Sequence, residues 1–143
     1  MKKPYVLGFY GESNTGKTTL IVDLIKKLTK EGYKVATIKK TDKNMEIDSE
    51  GKDTWKHASA GAKAVVLSSL EETDFIVKKN ITTLGIIDYM SKFDKYDIII
   101  IEGASDKKIQ KVRIGDIKIR QNTIMTYDGD FEKLYRTVKE KIV

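Results

Sequence analysis

An octapeptide near the N-terminus constrains the fold of this chain more than any other feature. Residues 11–18 read Gly-Glu-Ser-Asn-Thr-Gly-Lys-Thr. An apolar stretch at 5–10 precedes it and predicts a strand, and a helical pattern at 19–28 follows it. The spacing G-x-x-x-x-G-K-[ST] between a strand and a helix is the pattern of a phosphate-binding loop, the P-loop. The alternative is a glycine-containing turn between any strand and helix, and the two flanking elements make that explanation the rarer one.

Each part of the octapeptide has a physical role in holding phosphate. Gly11 and Gly16 permit backbone angles and close approaches that a Cβ would prevent. The backbone N–H groups of the loop and of the following helix N-terminus then form an anion-binding nest. Lys17 supplies a positive charge to the β- and γ-phosphates, and the Thr18 hydroxyl is a candidate ligand of Mg²⁺. The predicted nucleotide-binding residues are Gly11, Glu12, Ser13, Asn14, Thr15, Gly16, Lys17, Thr18 and Thr19.

Composition narrows the class of protein. The chain has 143 residues, 40% of them hydrophobic and 34% charged, which predicts one globular domain over 1–143. It has no cysteine, so neither a disulfide nor a thiolate metal site can form, and this fits a reducing cytoplasm. The N-terminus lacks the apolar core of a signal peptide, and no apolar run approaches the length of a membrane span.

The net charge of +6 could indicate nucleic acid, an anionic membrane or phosphorylated small molecules as partners. The lysines are scattered and interrupted by acidic residues, with no long basic block. This pattern favours a solvated surface around a phosphate-binding pocket. We therefore predict no nucleic-acid partner and no membrane partner.

The remaining chain predicts an α/β fold with a mostly parallel sheet. The strand at 5–10, the helix and a second strand at 35–38 form a unit that predicts a parallel pair joined by a right-handed crossover. Four consecutive isoleucines within 96–101 predict a central strand buried on both faces. Further strands are predicted at 64–67, 73–77 and 123–127, a polar loop at 41–50, and helices at 52–60, 82–93 and 131–142. Alternation at 111–114 and 117–119 predicts a small β-hairpin over Gly115-Asp116.

Glu102 follows the isoleucine strand directly and is followed by Gly103. In P-loop proteins an acidic residue at the end of a buried strand lies opposite the loop and meets Mg²⁺ or its water. Glu102 is therefore a candidate for metal binding and, with Lys17, for catalysis. The alternative is an acid that caps whatever follows the strand. Asp97, at the other end of the same strand, is predicted to be a turn residue.

The sequence leaves the base of the nucleotide open. The guanine-reading pattern Asn-Lys-x-Asp is missing. Asp128 or Asp130, after the last predicted strand, is a candidate acceptor of hydrogen bonds from guanine, and an Asp-Gly turn is the alternative. The residues alone do not decide between GTP and ATP.

Several stretches of the chain, in order from about residue 5 to 103, together carry a family resemblance. They are the P-loop, Val-Ala-Thr-Ile-Lys at 35–39, Glu-Ile-Asp at 46–48, Gly-Lys-Asp-Thr-Trp-Lys-His at 51–57 with Ala-Gly-Ala at 60–62, and Asp-Ile-Ile-Ile-Ile-Glu-Gly at 97–103. The segment at 51–57 is the most distinctive of them. Together they resemble the molybdopterin-guanine dinucleotide biosynthesis protein B (MobB) family.

The resemblance implies a three-layer P-loop NTPase fold of the dimeric GTPase-like kind. It implies GTP with Mg²⁺, hydrolysed slowly at most, and a homodimer. The implied role is an accessory protein, or adapter, that helps a molybdopterin nucleotidyltransferase attach GMP to molybdopterin, with molybdopterin itself a candidate ligand. A small-molecule kinase, or another ATPase on the same fold, is the alternative function.

Further site residues follow from the resemblance position by position. Lys52, Asp53, Trp55 and His57 become a family-specific surface; read alone, Trp55 is typical of core packing and His57 of an exposed helix. The family usually has His-Asp-His-His after the second strand, where 40–43 here read Lys-Thr-Asp-Lys. Asp42 is a candidate contact to the metal or to a switch, and it lies one position later than the aspartate of the family pattern.

Overall fold

The computed structural model describes residues 3–142, and they form two compact units. One consists of 3–41 and 83–142, and the other of 42–82. The elements in chain order are β1 Tyr5–Tyr10, α1 Lys17–Lys30, β2 Val35–Lys39, α2 Asp53–Ser59, β3 Ala64–Ser68, β4 Thr73–Val77, α3 Thr83–Phe93, β5 Ile98–Glu102, β6 Gln110–Arg113, β7 Thr123–Thr126 and α4 Phe131–Ile142.

The first unit is built on a parallel five-stranded sheet in the order β2-β5-β1-β6-β7. The predicted parallel strands are therefore confirmed. The prediction that β1 and β2 pair directly is wrong, because β5 lies between them and is hydrogen-bonded to both. The four isoleucines of β5 are fully buried, so this strand brings more apolar surface to an interior position than β2 could.

Helices cover both faces of this sheet and create two apolar cores. On one face α1 and α4 pack against β1, β5 and β6, through side chains such as Leu24, Leu28, Leu134 and Val138. On the other face α3 contributes Ile86, Ile87 and Met90 against Ile99 and Ile101. The three-layer α/β architecture predicted from the family resemblance is confirmed.

The second unit contains a two-stranded antiparallel sheet, β3 with β4, and the short helix α2. The pairing register places Val66 opposite Phe75. The fold thus has the expected small antiparallel hairpin, but at a different place in the chain from the one that the alternation at 111–119 predicts.

The hairpin predicted over Gly115-Asp116 is wrong. β6 pairs in parallel with β1 and β7, and 117–119 form no strand. Side-chain donors instead hold this segment as a loop: Arg113 Nη1 donates to the Ile117 carbonyl at 2.9 Å, and Lys111 Nζ donates to the Gln121 carbonyl at 2.8 Å. Among the residues described, no helix is long and apolar enough to cross a membrane.

Candidate functional site

The octapeptide connects the carboxyl end of β1 to the start of α1. Gly16 has φ 82° and ψ 13°, in the left-handed region, and α1 begins at the next residue, Lys17. Asn14 also has a positive φ of 65°. The Leu20 N–H already donates to the Gly16 carbonyl at 3.0 Å. This backbone reversal directs the first amides of α1 toward the carboxyl edge of the sheet, which is the arrangement that favours an anion.

The start of the loop packs against Ile114, the residue that directly follows β6. The Ile114 N–H donates to the Tyr10 carbonyl at 2.8 Å. A Cβ on Gly11 would lie 2.6 Å from the Ile114 carbonyl oxygen, a separation that backbone atoms cannot accommodate without moving. Glycine at position 11 therefore permits the loop and β6 to approach each other closely.

The loop is tied by two of its own side chains and remains open to solvent. Lys17 Nζ donates to the Gly11 carbonyl at 2.9 Å, so the ammonium group lies over the loop. Thr15 Oγ1 donates to the Glu12 carbonyl at 2.6 Å. The residues from Glu12 to Thr15 are exposed. A triphosphate can reach the loop amides and the Lys17 ammonium from outside.

Glu102 lies beside the first turn of α1, as its position after β5 predicts. Thr18 Oγ1 donates to Glu102 Oε1 at 2.6 Å, and Lys39 Nζ contacts Glu102 Oε2 at 2.6 Å. The side chain of Glu102 is only 12% exposed. Burial acts to raise the pKa of this carboxyl, but the hydrogen bonds from Lys39 and Thr18, with the charges of Lys39 and Lys17, outweigh burial and hold the pKa below its ordinary value.

The backbone turn after Glu102 lies against the backbone of Lys40, the residue that follows β2. Gly103 has φ 87°, and a Cβ there would lie 2.6 Å from the Lys40 carbonyl oxygen. The Gly103 N–H donates to the Phe9 carbonyl at 2.9 Å, and the Lys40 N–H donates to the Glu102 carbonyl at 2.9 Å. The backbone on both sides therefore holds the Glu102 carboxylate at this edge of the sheet.

The donor set at this edge fits Mg²⁺. A threonine hydroxyl and a carboxylate provide hard oxygen ligands, and Mg²⁺ is usually held by one or two such groups together with substrate phosphates and water. Within 3–142 no group of three or more His, Cys, Asp or Glu side chains is arranged to hold a metal alone. The cation that suits Thr18 and Glu102 is one that arrives with a phosphate chain.

The predicted base contacts take part in the turn before α4. Asp128 Oδ1 accepts from the Asp130 N–H at 3.0 Å, and Asp128 Oδ2 lies 3.3 Å from Lys133 Nζ. The hydrogen bonds from Asp130 and Lys133 lower the pKa of Asp128. Asp130 Oδ1 accepts from the Lys133 N–H at 3.1 Å, which makes Asp130 the N-cap of α4. Both carboxylates thus have a local structural use, and their contact with a base stays a prediction.

The residues proposed as a family-specific surface belong to the second unit. Lys52 occupies the N-cap position of α2, and Asp53, Trp55 and His57 lie within this helix. Lys52, Asp53 and His57 are exposed and Trp55 is half-buried. Asp42, the first residue of this unit, is also exposed. The roles of these five residues stay predictions.

One residue of the site is not singled out by sequence reasoning. Lys39 is the last residue of β2 and pairs in register with Glu102. Its position could have identified it as a site residue, because Lys39 directly follows Ile38 at the carboxyl end of a predicted parallel strand. Neighbouring parallel strands end at the same edge, which is where α/β proteins bind ligands.

The fold and this site define a class. A parallel sheet between helices, with G-x-x-x-x-G-K-T joining β1 to α1, is the architecture of P-loop nucleotide-binding proteins. The family model described as "Molybdopterin guanine dinucleotide synthesis protein B", MobB, matches residues 6–134. The chain belongs to this family, and the resemblance seen in the sequence is confirmed.

Relatives of known name agree with this assignment. The molybdopterin-guanine dinucleotide biosynthesis adapter protein of Haemophilus influenzae is 34% identical over 110 residues, which are 75% of this chain and 61% of that protein. The protein of the same name from Escherichia coli is 32% identical over 110 residues, covering 75% and 63%. A putative adapter of Methanocaldococcus jannaschii is 29% identical over 150 residues, covering 96% and 62%. The chain thus spans less than two thirds of the length of these relatives.

Solved structures share the fold. Bacillus subtilis MobB superposes with a TM-score of 0.74 at 19% identity, covering 96% of this chain and 97% of that one. A structure described as molybdopterin-guanine biosynthesis protein B gives a TM-score of 0.62 at 24% identity, covering 96% and 98%. At these identities the similarity establishes the three-dimensional architecture.

Proposed function

We propose that this protein binds GTP with Mg²⁺ and acts as an adapter in molybdenum or tungsten cofactor biosynthesis, where it supports the attachment of GMP to molybdopterin. The observation that carries the nucleotide part is the hydrogen bond between Thr18 and Glu102 across the P-loop. This contact joins a hydroxyl and a carboxylate at the edge where the loop amides and Lys17 also converge. The biosynthetic part is supported by membership of the family and by the names of its relatives.

Each residue of the site has a defined task in this proposal. The amides of 11–19 hold the phosphate oxygens, and Lys17 exchanges the Gly11 carbonyl for the β- and γ-phosphates. Thr18 and Glu102 would hold Mg²⁺, which would offset the negative charge of the phosphates. Thr18 would contribute its hydroxyl oxygen, and Glu102 would act directly or through a water molecule.

Slow hydrolysis at most is part of this proposal, and the charged surroundings of Glu102 are consistent with it. A general base works best when its pKa lies near the working pH. Lys39, Thr18 and Lys17 hold the pKa of Glu102 below its ordinary value, so this carboxylate is a weak proton acceptor near neutrality. Glu102 therefore orients a metal or a water molecule more readily than it removes a proton.

The partner in this proposal is a molybdopterin nucleotidyltransferase. Molybdopterin is a second ligand of the assembled complex. The homodimer implied by the resemblance and the cytoplasmic location predicted from the sequence remain parts of the same proposal. The prediction of a single folding domain over 1–143 is also part of this proposal.

A reconstituted assay tests the adapter role. A purified nucleotidyltransferase, molybdopterin, GTP and Mg²⁺ are mixed with or without this protein, and formation of the guanine dinucleotide is followed. We expect the protein to increase the rate and Lys17→Ala to remove the increase. An equal rate with and without the protein, or equal stimulation by Lys17→Ala, would overturn the proposal. In a parallel assay with ATP, phosphorylation of a small molecule would support a kinase instead.

A further inference from the structure

Lys39 provides a second ammonium group at the phosphate-binding edge. Its Nζ lies 2.6 Å from Glu102 Oε2, while Glu102 Oε1 accepts from Thr18 at 2.6 Å. One carboxylate therefore connects Lys39 to the residue that follows Lys17. The side chain of Lys39 is 66% exposed, so packing does not confine it. The ammonium group is held mainly by Glu102.

The direction of Lys39 distinguishes it from the next lysine along the chain. Consecutive strand residues point to opposite faces of a sheet. Lys39 contacts Glu102 on the side of α1, whereas Lys40 Nζ donates to Thr83 Oγ1 at the start of α3, at 2.8 Å. Lys39 is thus the cation from β2 that faces the P-loop side of the sheet, and Lys40 belongs to the opposite layer.

The charges of the site change when a metal and a nucleotide arrive. In the free protein, the ammonium groups of Lys17 and Lys39 and the carboxylate of Glu102 together carry one net positive charge. A divalent cation beside Glu102 would satisfy the carboxylate and repel the Lys39 ammonium. The Lys39 side of this ion pair is exposed, so water could hydrate the ammonium group as it leaves, while the cation would take its place beside the mostly buried Glu102 carboxylate. The terminal phosphate of a triphosphate adds negative charge that a diphosphate lacks.

We propose that Lys39 recognises the terminal phosphate of a nucleoside triphosphate. Glu102 holds the Lys39 ammonium in the free protein, and the ammonium transfers to the γ-phosphate when the triphosphate and its cation bind. The flexible four-carbon stem and the strongly hydrated point charge of lysine suit such an exchange. Lys39 would then distinguish the triphosphate from the diphosphate state of the adapter. This inference rests on the proposed nucleotide binding.

The test compares tri- and diphosphate affinities of Lys39→Met in the full chain. A non-hydrolysable β,γ-imido analogue of GTP and GDP are each titrated by calorimetry with Mg²⁺, and the corresponding adenine pair is titrated in parallel. Lys34→Met is the matched control, because Lys34 lies just before the opposite end of β2 and, like Lys39, is a lysine with a side chain more than half exposed in an ion pair, here with Asp94. Lys39→Arg tests whether a cation alone restores the preference.

We expect Lys39→Met to weaken the triphosphate analogue by about tenfold and the diphosphate by less than about threefold, the range of one charged contact. Lys34→Met should change neither, and Lys39→Arg should recover most of the loss. Equal weakening of both nucleotides, or no weakening, overturns the role of Lys39 and leaves the proposed function intact. Wild-type protein that prefers the adenine pair, with the same effect of Lys39→Met, contradicts GTP as ligand and supports the role of Lys39. Wild-type protein that binds neither pair defeats both.

Discussion

The hydroxyl of Thr18 donates a 2.6 Å hydrogen bond to Oε1 of Glu102, a residue 84 positions later in the chain. Parallel pairing of β1 with β5 aligns Phe9 with Glu102 and so brings the carboxylate beside the loop that follows β1. Because the hydroxyl proton is directed to the carboxylate, the lone pairs of the Thr18 oxygen remain available to a cation. The bond therefore leaves the hydroxyl oxygen able to contact the Mg²⁺ that we propose at this edge.

Glu102→Gln should reduce the effect of Mg²⁺ on nucleotide binding. The amide keeps the size of the side chain but removes the negative charge that Thr18 and Lys39 now contact. We expect the Mg²⁺-dependent gain in affinity for GTP to fall by about tenfold or more, as for other groups that support a bound metal. Titrations with and without EDTA measure this gain. Glu140→Gln, an exposed change on α4, is the control, and an undiminished gain in Glu102→Gln would argue against metal binding at this edge.

Lys17→Ala should weaken nucleotide binding with or without Mg²⁺. The substitution removes the ammonium group that lies over the loop at 2.9 Å from the Gly11 carbonyl. We expect a loss of roughly tenfold or more, the value of one or more hydrogen bonds to a charged group. Lys26→Ala, an exposed substitution on the same helix, should leave the affinity unchanged. A change of less than about threefold in Lys17→Ala would show that the phosphate assignment is wrong.

Gly103→Ala should destabilise the fold more than Gly32→Ala does. Both glycines have a positive φ, 87° and 94°, which costs an alanine about 1–2 kcal/mol. A Cβ at Gly32 meets nothing within 4 Å, whereas one at Gly103 would lie 2.6 Å from the Lys40 carbonyl oxygen. We therefore expect a further loss of about 1–3 kcal/mol at Gly103 from overpacking. Urea unfolding measures both free energies, and equal losses would contradict the close approach.

Lys111→Met should destabilise the protein because it removes two hydrogen bonds that a fully buried ammonium group donates. Lys111 is fully buried, and its ammonium donates to the Ile109 and Gln121 carbonyls at 2.7 and 2.8 Å. Leaving the buried Ile109 carbonyl unsatisfied costs about 1–3 kcal/mol, and the loss is smaller at the part-buried carbonyl of Gln121. Urea unfolding at neutral pH measures the loss, and a stability equal to that of wild type would contradict the structural role of this side chain.

The same residue predicts a dependence of stability on pH. Burial lowers the pKa of Lys111 below its ordinary value of 10.5 in the folded protein. The folded state therefore binds this proton more weakly than the unfolded state does. The associated stability is fully present above pH 10.5, and it is lost as the pH falls through the lower pKa of the folded state. Wild type should gain stability relative to Lys111→Met as the pH rises through this window, and a difference independent of pH would contradict the shift.

Periodic segments of the sequence predict their own structure well. Leu134, Val138 and Ile142 recur at helical spacing and form the buried face of α4. The isoleucines of β5 leave no polar face, so a strand between two others is the arrangement that buries them all. The P-loop is also predictable from the sequence, because its residues are adjacent in the chain. Few other residue types could replace its glycines, lysine and threonine in binding phosphate.

The sequence-based predictions are wrong or incomplete where contacts between residues far apart in the chain determine the structure. Alternation at 111–119 predicts a β-hairpin, yet β6 pairs in parallel with β1 and β7 and Lys111 is fully buried. Its burial is possible because the carbonyls of Ile109 and Gln121 accept hydrogen bonds from its ammonium group. Gly8, its partner in register on β1, makes room for Ala104, since a Cβ at Gly8 would lie 2.3 Å from Ala104 Cβ. Lys39 likewise becomes a site residue only through its register with Glu102. Strand order and register join residues that no local pattern connects.

The most direct test of the account is a calorimetric titration of GTP and ATP against the full chain in the presence of Mg²⁺. The account predicts one nucleotide per chain, bound at least about tenfold more tightly as GTP than as ATP. Equal affinities for the two nucleotides would contradict the adapter role. The absence of binding to either would contradict the assignment of the loop at 11–18 as a phosphate site.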